Sequence, residues 1–162
     1  MKRIEPGPGQ ESVWDYPRPP RVEPSRHEIR VEFGGREIAR SDRAVRVLET
    51  SHPPVYYIPP DDIDPGVLSI TPSSSFCEFK GRASYYTVQV GDRESIDAAW
   101  TYLEPAEGYA PLTGLVAFYP GRVDACFVGE EQVDPQAGDF YGGWITTSVV
   151  GPFKGGAGTL GW

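Results

Sequence analysis

Proline and glycine punctuate this chain so densely, with 17 Pro and 19 Gly among 162 residues, that they constrain its fold more than any other feature. Proline removes a backbone donor and breaks helices, while glycine serves the positive-φ positions of turns. Between them the surviving pattern is alternation, and no segment beyond a turn or two holds the 3.6-residue apolar period of a helix. Ile29, Val31 and Phe33 share one face, Gly34-Gly35 suits a two-residue turn and Ile38 returns, which predicts a hairpin. Ala44–Glu49 and Val55–Ile58 read as strands on either side of a Thr50-Ser51-His52-Pro53-Pro54 bend. Pro59–Leu68 has room for one helical turn, with Asp61, Asp62 and Asp64 near its start.

Phe76–Phe79, Ala83–Val90 closed by Gly91-Asp92, and Ile96–Tyr102 continue the series, the last with Ala98, Trp100 and Tyr102 on one face. Leu115–Tyr119 and Val123–Val128 flank Pro120-Gly121 and read as a second hairpin. The expected fold is mainly β: a single compact domain of seven to nine short, mostly antiparallel strands, as a sandwich, a barrel or a bent two-sheet arrangement. Helix should stay below about one fifth of residues, against a usual third.

The length suits one domain with a real core, roughly 68–70% of the unfolded surface being buried at this size. Residues 1–24 read as a Pro-rich N-terminal arm whose large apolar anchors are Trp14 and Tyr16; residues 25–134 form the β domain. Residues 135–162 read as an irregular tail, rich in glycine and carrying Phe140, Tyr141, Trp144, Phe153 and Trp162. Exposed rings are costly, so the tail is expected to pack on the domain with Trp144, Phe153 and Trp162 substantially buried.

A net charge of −8 argues against nucleic acid as a partner, since that binding rests on clustered Lys and Arg. Arg18–Arg46 holds eight arginines against five acids, but the interleaved Glu23, Glu28, Glu32 and Glu37 make paired strand faces the expected outcome. Cys77 and Cys126 have no metal-ligand or disulfide-scaffold spacing. Met1–Pro6 lacks the apolar run of a secretory signal, and no stretch approaches the ~18 apolar residues of a membrane span. The expectation is a cytoplasmic chain with reduced thiols, no metal, no cofactor and no membrane association.

Chemistry concentrates in Phe76-Cys77-Glu78-Phe79-Lys80-Gly81-Arg82-Ala83-Ser84-Tyr85-Tyr86, where a thiol and an amine flank a turn glycine. The Lys80 ammonium favours a thiolate at Cys77, whereas the Glu78 carboxylate and the surrounding rings oppose it. Two unfavourable effects against one make Cys77 a packing or ligand-lining residue and Lys80 the better functional candidate. The alternative is a buried cysteine beside a lysine whose stem packs on Tyr85. With His27 and His52 the only imidazoles, a histidine base has two candidates, of which His52 lies in a loop beside Tyr56-Tyr57. Asp61, Asp62 and Asp64 lack the glycine and distal glutamate of a calcium loop and read as a solvated turn. Gly151–Thr159 offers backbone amides and Lys154 to an anion, but not in phosphate-loop order.

Many of these pieces, in order, resemble a bacterial and fungal family known as domain of unknown function number 427, sometimes labelled nucleotidyltransferase-like. The likeness is carried by Phe33-Gly34-Gly35, Ser41–Arg46, Glu49-Thr50, His52-Pro53-Pro54-Val55-Tyr56-Tyr57, Cys77 with Lys80-Gly81, Ala83-Ser84-Tyr85-Tyr86, Ala99-Trp100-Thr101-Tyr102 and Val116–Pro120. Members commonly read Cys-Pro-x-Lys-Gly where this chain has Glu78, a departure that changes loop rigidity and places a charge beside the thiol. The resemblance implies a compact β domain with Cys77, Lys80, Tyr57 and Tyr85 as pocket candidates. No acidic pair at metal-binding spacing supports the transferase-like label.

The function expected from the residues is a small-molecule pocket lined by Tyr56, Tyr57, Cys77, Lys80, Tyr85, Trp100 and Tyr119, with Lys80 holding an anionic or carbonyl group. The alternative is a non-enzymatic interaction domain whose aromatic arm and tail present a partner surface or pair protomers as a homo-oligomer.

Overall fold

The computed structural model describes residues 1–162. It is mainly β, with 44% of residues in strands and no α-helix. In chain order the strands are β1 (Glu11–Ser12), β2 (Arg21–Pro24), β3 (Ile29–Phe33), β4 (Arg36–Ser41), β5 (Val45–Leu48), β6 (Val55–Tyr57), β7 (Leu68–Cys77), β8 (Gly81–Val90), β9 (Arg93–Thr101), β10 (Val116–Phe118) and β11 (Ala125–Val128). Four two-residue segments complete the set: β12 (Glu131–Gln132), β13 (Asp134–Pro135), β14 (Trp144–Ile145) and β15 (Val149–Val150). No helix is long and apolar enough to cross a membrane.

Turn chemistry explains the local hairpins. Gly34 and Gly35 both take positive φ, 65° and 81°, as a type I′ turn demands, and β3 pairs with β4 across them. At the β8–β9 turn Gly91 alone is positive, at 59°, the type II′ pattern. Pro60–Asp62 is the single helical turn expected of that region. The Ser-rich stretch before Phe76 is a strand as well, which alternation does not reveal. β7 lies at the edge of its sheet, and its pairing with β8 lapses between Ile70 and Ser74, where Pro72 has no N–H to give.

Two four-stranded sheets, ordered β10-β9-β8-β7 and β12-β11-β3-β4, and a three-stranded sheet, β2-β5-β6, make the body. Ile58 and Val116 exchange backbone hydrogen bonds of 2.8 and 2.9 Å, which joins β6 to β10 and turns two of these sheets into one bent surface. Because side chains alternate across a strand, this surface feeds two cores. One face sends Tyr56, Ile58, Val88, Ala99, Val116 and Phe118 against Ile29, Val31, Phe33 and Ile38 of the β3–β4 sheet. The other face folds over itself, gathering Val47, Tyr57, Ala83, Tyr85, Trp100, Tyr102 and Tyr119. The arrangement is thus a bent two-sheet fold with no closed barrel.

Two local expectations are corrected. Pro120-Gly121 does not close a hairpin: Pro120–Arg122 is a 3₁₀ turn, β10 pairs with β9, and β11 pairs with β3 in the facing sheet. A Pro-Gly pair specifies a reversal of the chain, not the strand met afterwards. Ala98 does not share a face with Trp100 and Tyr102, because an irregularity opposite Tyr86–Val88, with Asp97 at a φ of 54°, delivers Ala98 to the first core.

The arm and the tail hold each other. β1 pairs in parallel with β15, and Val13, Tyr16, Leu48 and Val149 form a third cluster there. The arm's last residues enter the body as β2, antiparallel to β5. Of the tail aromatics Trp144 is fully buried, whereas Phe153 and Trp162 are half-buried, Trp162 lying edge-on to Trp14 at 5.4 Å. Seven of the eight arginines from Arg18 to Arg46 make ion pairs with carboxylates, including Arg40 with Glu28 and Glu37 and Arg46 with Glu11 and Glu23.

Candidate functional site

The aromatic face of the bent sheet encloses a pocket of about 200 Å³. Its walls are Val47 of β5, Tyr57 of β6, Ala83 and Tyr85 of β8, Trp100 of β9 and, just beyond the strand ends, Tyr102 and Tyr119. Trp100 stands edge-on to Tyr57 with ring centres 6.1 Å apart and lies 4.5 Å from the Tyr119 ring. Its indole N–H donates to the Tyr57 hydroxyl at 3.3 Å. The Tyr85 hydroxyl is hydrogen-bonded to Ser75 at 2.8 Å, and Tyr119 donates to the Phe140 carbonyl at 3.0 Å. The walls are therefore apolar rings whose hydroxyls are tied to named partners.

The β7–β8 turn brings Lys80 and Cys77 to this pocket. Gly81 follows with a φ of 103°, and a Cβ there would lie 3.1 Å from the Ala106 nitrogen. Glycine is thus required for the Ala106 N–H to donate to the Lys80 carbonyl at 2.8 Å. The Lys80 N–H points to Cys77 Sγ at 3.5 Å, and the Lys80 ammonium sits 6.0 Å from the Tyr102 ring centre. Every ion pair to an aspartate or glutamate side chain is made by an arginine. Lys80 therefore lacks a paired carboxylate, and Glu49, which also lines the pocket, is held by Arg18 at 3.3 Å.

Burial sets the protonation states. It raises the Tyr57, Tyr102 and Tyr119 hydroxyls well above the ordinary tyrosine range, so all three are neutral donors at physiological pH. Burial works against the Lys80 ammonium, the Glu49 carboxylate favours it, and the net direction is upward, so Lys80 remains a cation. His52 is lowered by burial and is neutral at pH 7. Its Nδ1 faces the Thr50 carbonyl at 3.0 Å, and a carbonyl only accepts, so Nδ1 carries the proton and Nε2 the lone pair.

Of the residues singled out from sequence, Tyr57, Cys77, Lys80, Tyr85, Trp100, Tyr119 and His52 come together around the pocket. Tyr56 does not: one residue from Tyr57, it projects through the other face of β6, stands 5.1 Å from Trp144 and belongs to the first core. His27 lies exposed, away from the pocket. Asp62 is occupied by Arg43 and Ser41, and no group of three or more His, Cys, Asp or Glu side chains is gathered for a metal.

Residues not singled out also line the pocket, among them Tyr102, Glu49, Phe140, Tyr141 and Lys154. Tyr102 shares a strand face with Trp100, so alternation carried a signal for it. Locally Lys154 stands out only within the Gly151–Thr159 run and Tyr141 only as a tail aromatic, and nothing local assigns either to this pocket. The Lys154 N–H donates to the Ser51 carbonyl at 2.8 Å, and its ammonium lies 5.4 Å from the Tyr141 ring centre. Tyr141 in turn stands edge-on to His52 at 4.9 Å. In the Gly151–Thr159 run the Gly155 amide is taken by Thr159, so these residues close the pocket and form no open anion loop.

The tail reaches the pocket because Gly142 has no side chain. A Cβ there would meet Trp100 Cη2 at 2.6 Å and Tyr119 Cδ1 at 2.9 Å, at a φ of 68°. Gly142→Ala should cost about 1–3 kcal/mol from overpacking and positive φ together. In urea unfolding that appears as a lower midpoint at unchanged slope, with tryptophan fluorescence altered in the folded baseline.

No curated protein matches the chain. A family model described as a domain of unknown function (DUF427) matches residues 21–129, from β2 through β11. It takes in every pocket-lining residue except Phe140, Tyr141 and Lys154. With well over half of its length matched, and with the pocket walls inside the match, the chain belongs to the domain-of-unknown-function family DUF427.

Proposed function

We propose that this protein binds a small molecule with an aromatic or apolar body and an anionic group, the anion held by Lys80 and the body lying against Tyr57, Tyr85, Trp100 and Tyr119. The observation that supports this most is the Lys80 ammonium, set among neutral tyrosines at the pocket with no carboxylate paired to it. A cation drawn away from water gains from an anion brought beside it. Concave aromatic walls with a few convergent polar groups are the usual makeup of a ligand site. A lysine that keeps its charge suits anion binding better than Schiff-base chemistry, which needs the neutral amine. Cys77 then lines the site, and the concave placement of the rings favours this function over a flat partner surface.

Benzoate and its uncharged counterpart benzyl alcohol test the assignment, by calorimetric titration and thermal shift on the wild type, Lys80→Met and Cys77→Ser. Benzoate should bind and raise the melting temperature. At a hundredfold excess over Kd the stabilisation is about 2.7 kcal/mol. Lys80→Met should weaken benzoate at least tenfold, as expected for a lost charge-assisted hydrogen bond worth about 1.5–3 kcal/mol. Cys77→Ser should stay within about threefold. Equal binding of benzyl alcohol and benzoate, or an unaffected Lys80→Met, refutes the role given to Lys80.

A further inference from the structure

His52 lines the pocket from the bend between β5 and β6, and the residue is 9% exposed. Its Nδ1 is committed within that bend, 3.0 Å from the Thr50 carbonyl and 3.5 Å from the Ser51 hydroxyl. Because the carbonyl only accepts, Nδ1 carries the proton and the distal edge of the ring presents the Nε2 lone pair. No donor of the protein reaches Nε2. The atom is not sealed away either, the Thr101 hydroxyl being the one side-chain polar atom that is both buried and unpartnered. His52 therefore brings an accessible, unpaired acceptor to the wall of a cavity. Glu49, which also lines the pocket and precedes this bend, is likewise an acceptor, already paired with Arg18. The cation, Lys80, comes from the separate β7–β8 turn.

From this arrangement, and resting on the Lys80 assignment above, we infer that the ligand is an aromatic hydroxy acid, its anionic group held by Lys80 and its hydroxyl donating to His52 Nε2. A ligand that fills the pocket shuts Nε2 off from water, which is costly unless the ligand supplies a donor in return. An aromatic acid without a hydroxyl leaves the lone pair unmet. A site whose own polar group is stranded by the wrong ligand discriminates more sharply than one that selects by shape. The donor is a neutral hydroxyl and not an ammonium, because Arg18 and Lys154 both oppose positive charge at His52, and only Glu49 favours it. The remaining neighbour, the Tyr141 ring, stands edge-on at 4.9 Å and is neutral. Burial holds the imidazole uncharged at pH 7, so Nε2 stays an acceptor.

The probes are benzoate, 3-hydroxybenzoate, 4-hydroxybenzoate and the methyl ethers of the two phenols, which keep the oxygen but cannot donate. Each is titrated calorimetrically into the full chain, wild type, His52→Phe and His52→Gln. At least one hydroxybenzoate should bind the wild type about fivefold or more tighter than both benzoate and its own methyl ether, the gain of one neutral hydrogen bond. That advantage should fall below twofold in His52→Phe and return in part in His52→Gln, whose amide oxygen can accept. Benzoate, which has no donor to offer, should still bind both variants and so reports that the pocket is intact. In the wild type the advantage should also fade as pH drops from 7.5 to 5, with a midpoint below 6.5, because protonation turns Nε2 into a donor. If benzoate binds through Lys80 but neither hydroxybenzoate exceeds it, or if the advantage survives in His52→Phe, the hydroxy-acid inference is overturned while the Lys80 assignment stands. If His52→Phe loses benzoate, His52→Gln decides, and an advantage wholly absent there overturns the inference. If neither variant binds benzoate, the wild-type pH series decides, and an advantage unchanged down to pH 5 overturns it. If benzoate fails on the wild type, both fall.

Discussion

Replacing Trp144 by alanine should lower the stability of this protein by about 3–5 kcal/mol, the range for emptying a buried aromatic site. Trp144 is fully excluded from solvent. Its indole N–H donates to the Phe118 carbonyl at 3.0 Å, and its backbone N–H donates to the Pro54 carbonyl at 2.8 Å. The ring stands beside Tyr56 within the first core. Truncation leaves a cavity against that ring and a buried carbonyl without its donor, two losses of different origin. Trp144→Phe separates them, since it refills most of the volume but restores no donor, and should cost about 1–3 kcal/mol. At roughly 2–4 °C per kcal/mol for a domain of this size, the alanine variant should melt about 6–20 °C below the wild type. A loss under 1 kcal/mol in Trp144→Ala would mean that the tail is not anchored through this ring.

The second large effect is expected at Arg46, whose side chain is 9% exposed and lies between Glu11 and Glu23, 2.9 and 2.6 Å away. Glu11 also accepts from the Tyr16 hydroxyl at 3.0 Å, so one guanidinium ties the N-terminal arm to β2 and β5. Arg46→Met keeps much of the stem's volume but leaves two carboxylates facing each other without their cation. Breaking a buried pair in this way costs about 3–5 kcal/mol, and the partial exposure of both glutamates places the expected loss near 3 kcal/mol. The bond from Arg46, with its charge, holds the Glu11 carboxyl below the usual carboxylate range against the upward push of burial. A group lowered on folding stabilises the protein above its unfolded value, near pH 4, and that contribution is lost as pH falls through the folded value. The wild type should therefore lose stability on acidification below about pH 4 by a step that Arg46→Met lacks. Urea melts of both proteins at pH 7 and pH 3 check this, and an equal acid loss in the two would assign the step to other carboxylates.

The class of fold and part of the pocket could be read from residues in order because the physics that sets them is local. Two glycines at positive φ close β3 onto β4 wherever they occur. The two-residue side-chain period that places Tyr85 on the face opposite Tyr86 is a property of any strand. A three-residue turn, Glu78 to Lys80, between the paired Cys77 and Gly81 keeps Cys77 and Lys80 together however the rest of the chain folds.

What the tertiary structure alone decided are the choices between partners. Tyr56 and Tyr57 carry the same chemistry on adjacent positions, and only the facing β3–β4 sheet determines which of them is drawn into the first core and which is left to the pocket. Pro120-Gly121 fixes a change of direction, whereas the pairing of β11 with β3, nearly a hundred residues earlier in the chain, fixes where the chain goes. Tyr141 and Lys154 become pocket residues because Gly142 lets the tail lie against Trp100 and because Ser51 accepts the Lys154 amide. Each of those contacts closes a long loop, and its formation depends on burial and hydrogen bonding gained at a distance, for which a residue's immediate neighbours in sequence carry no signal.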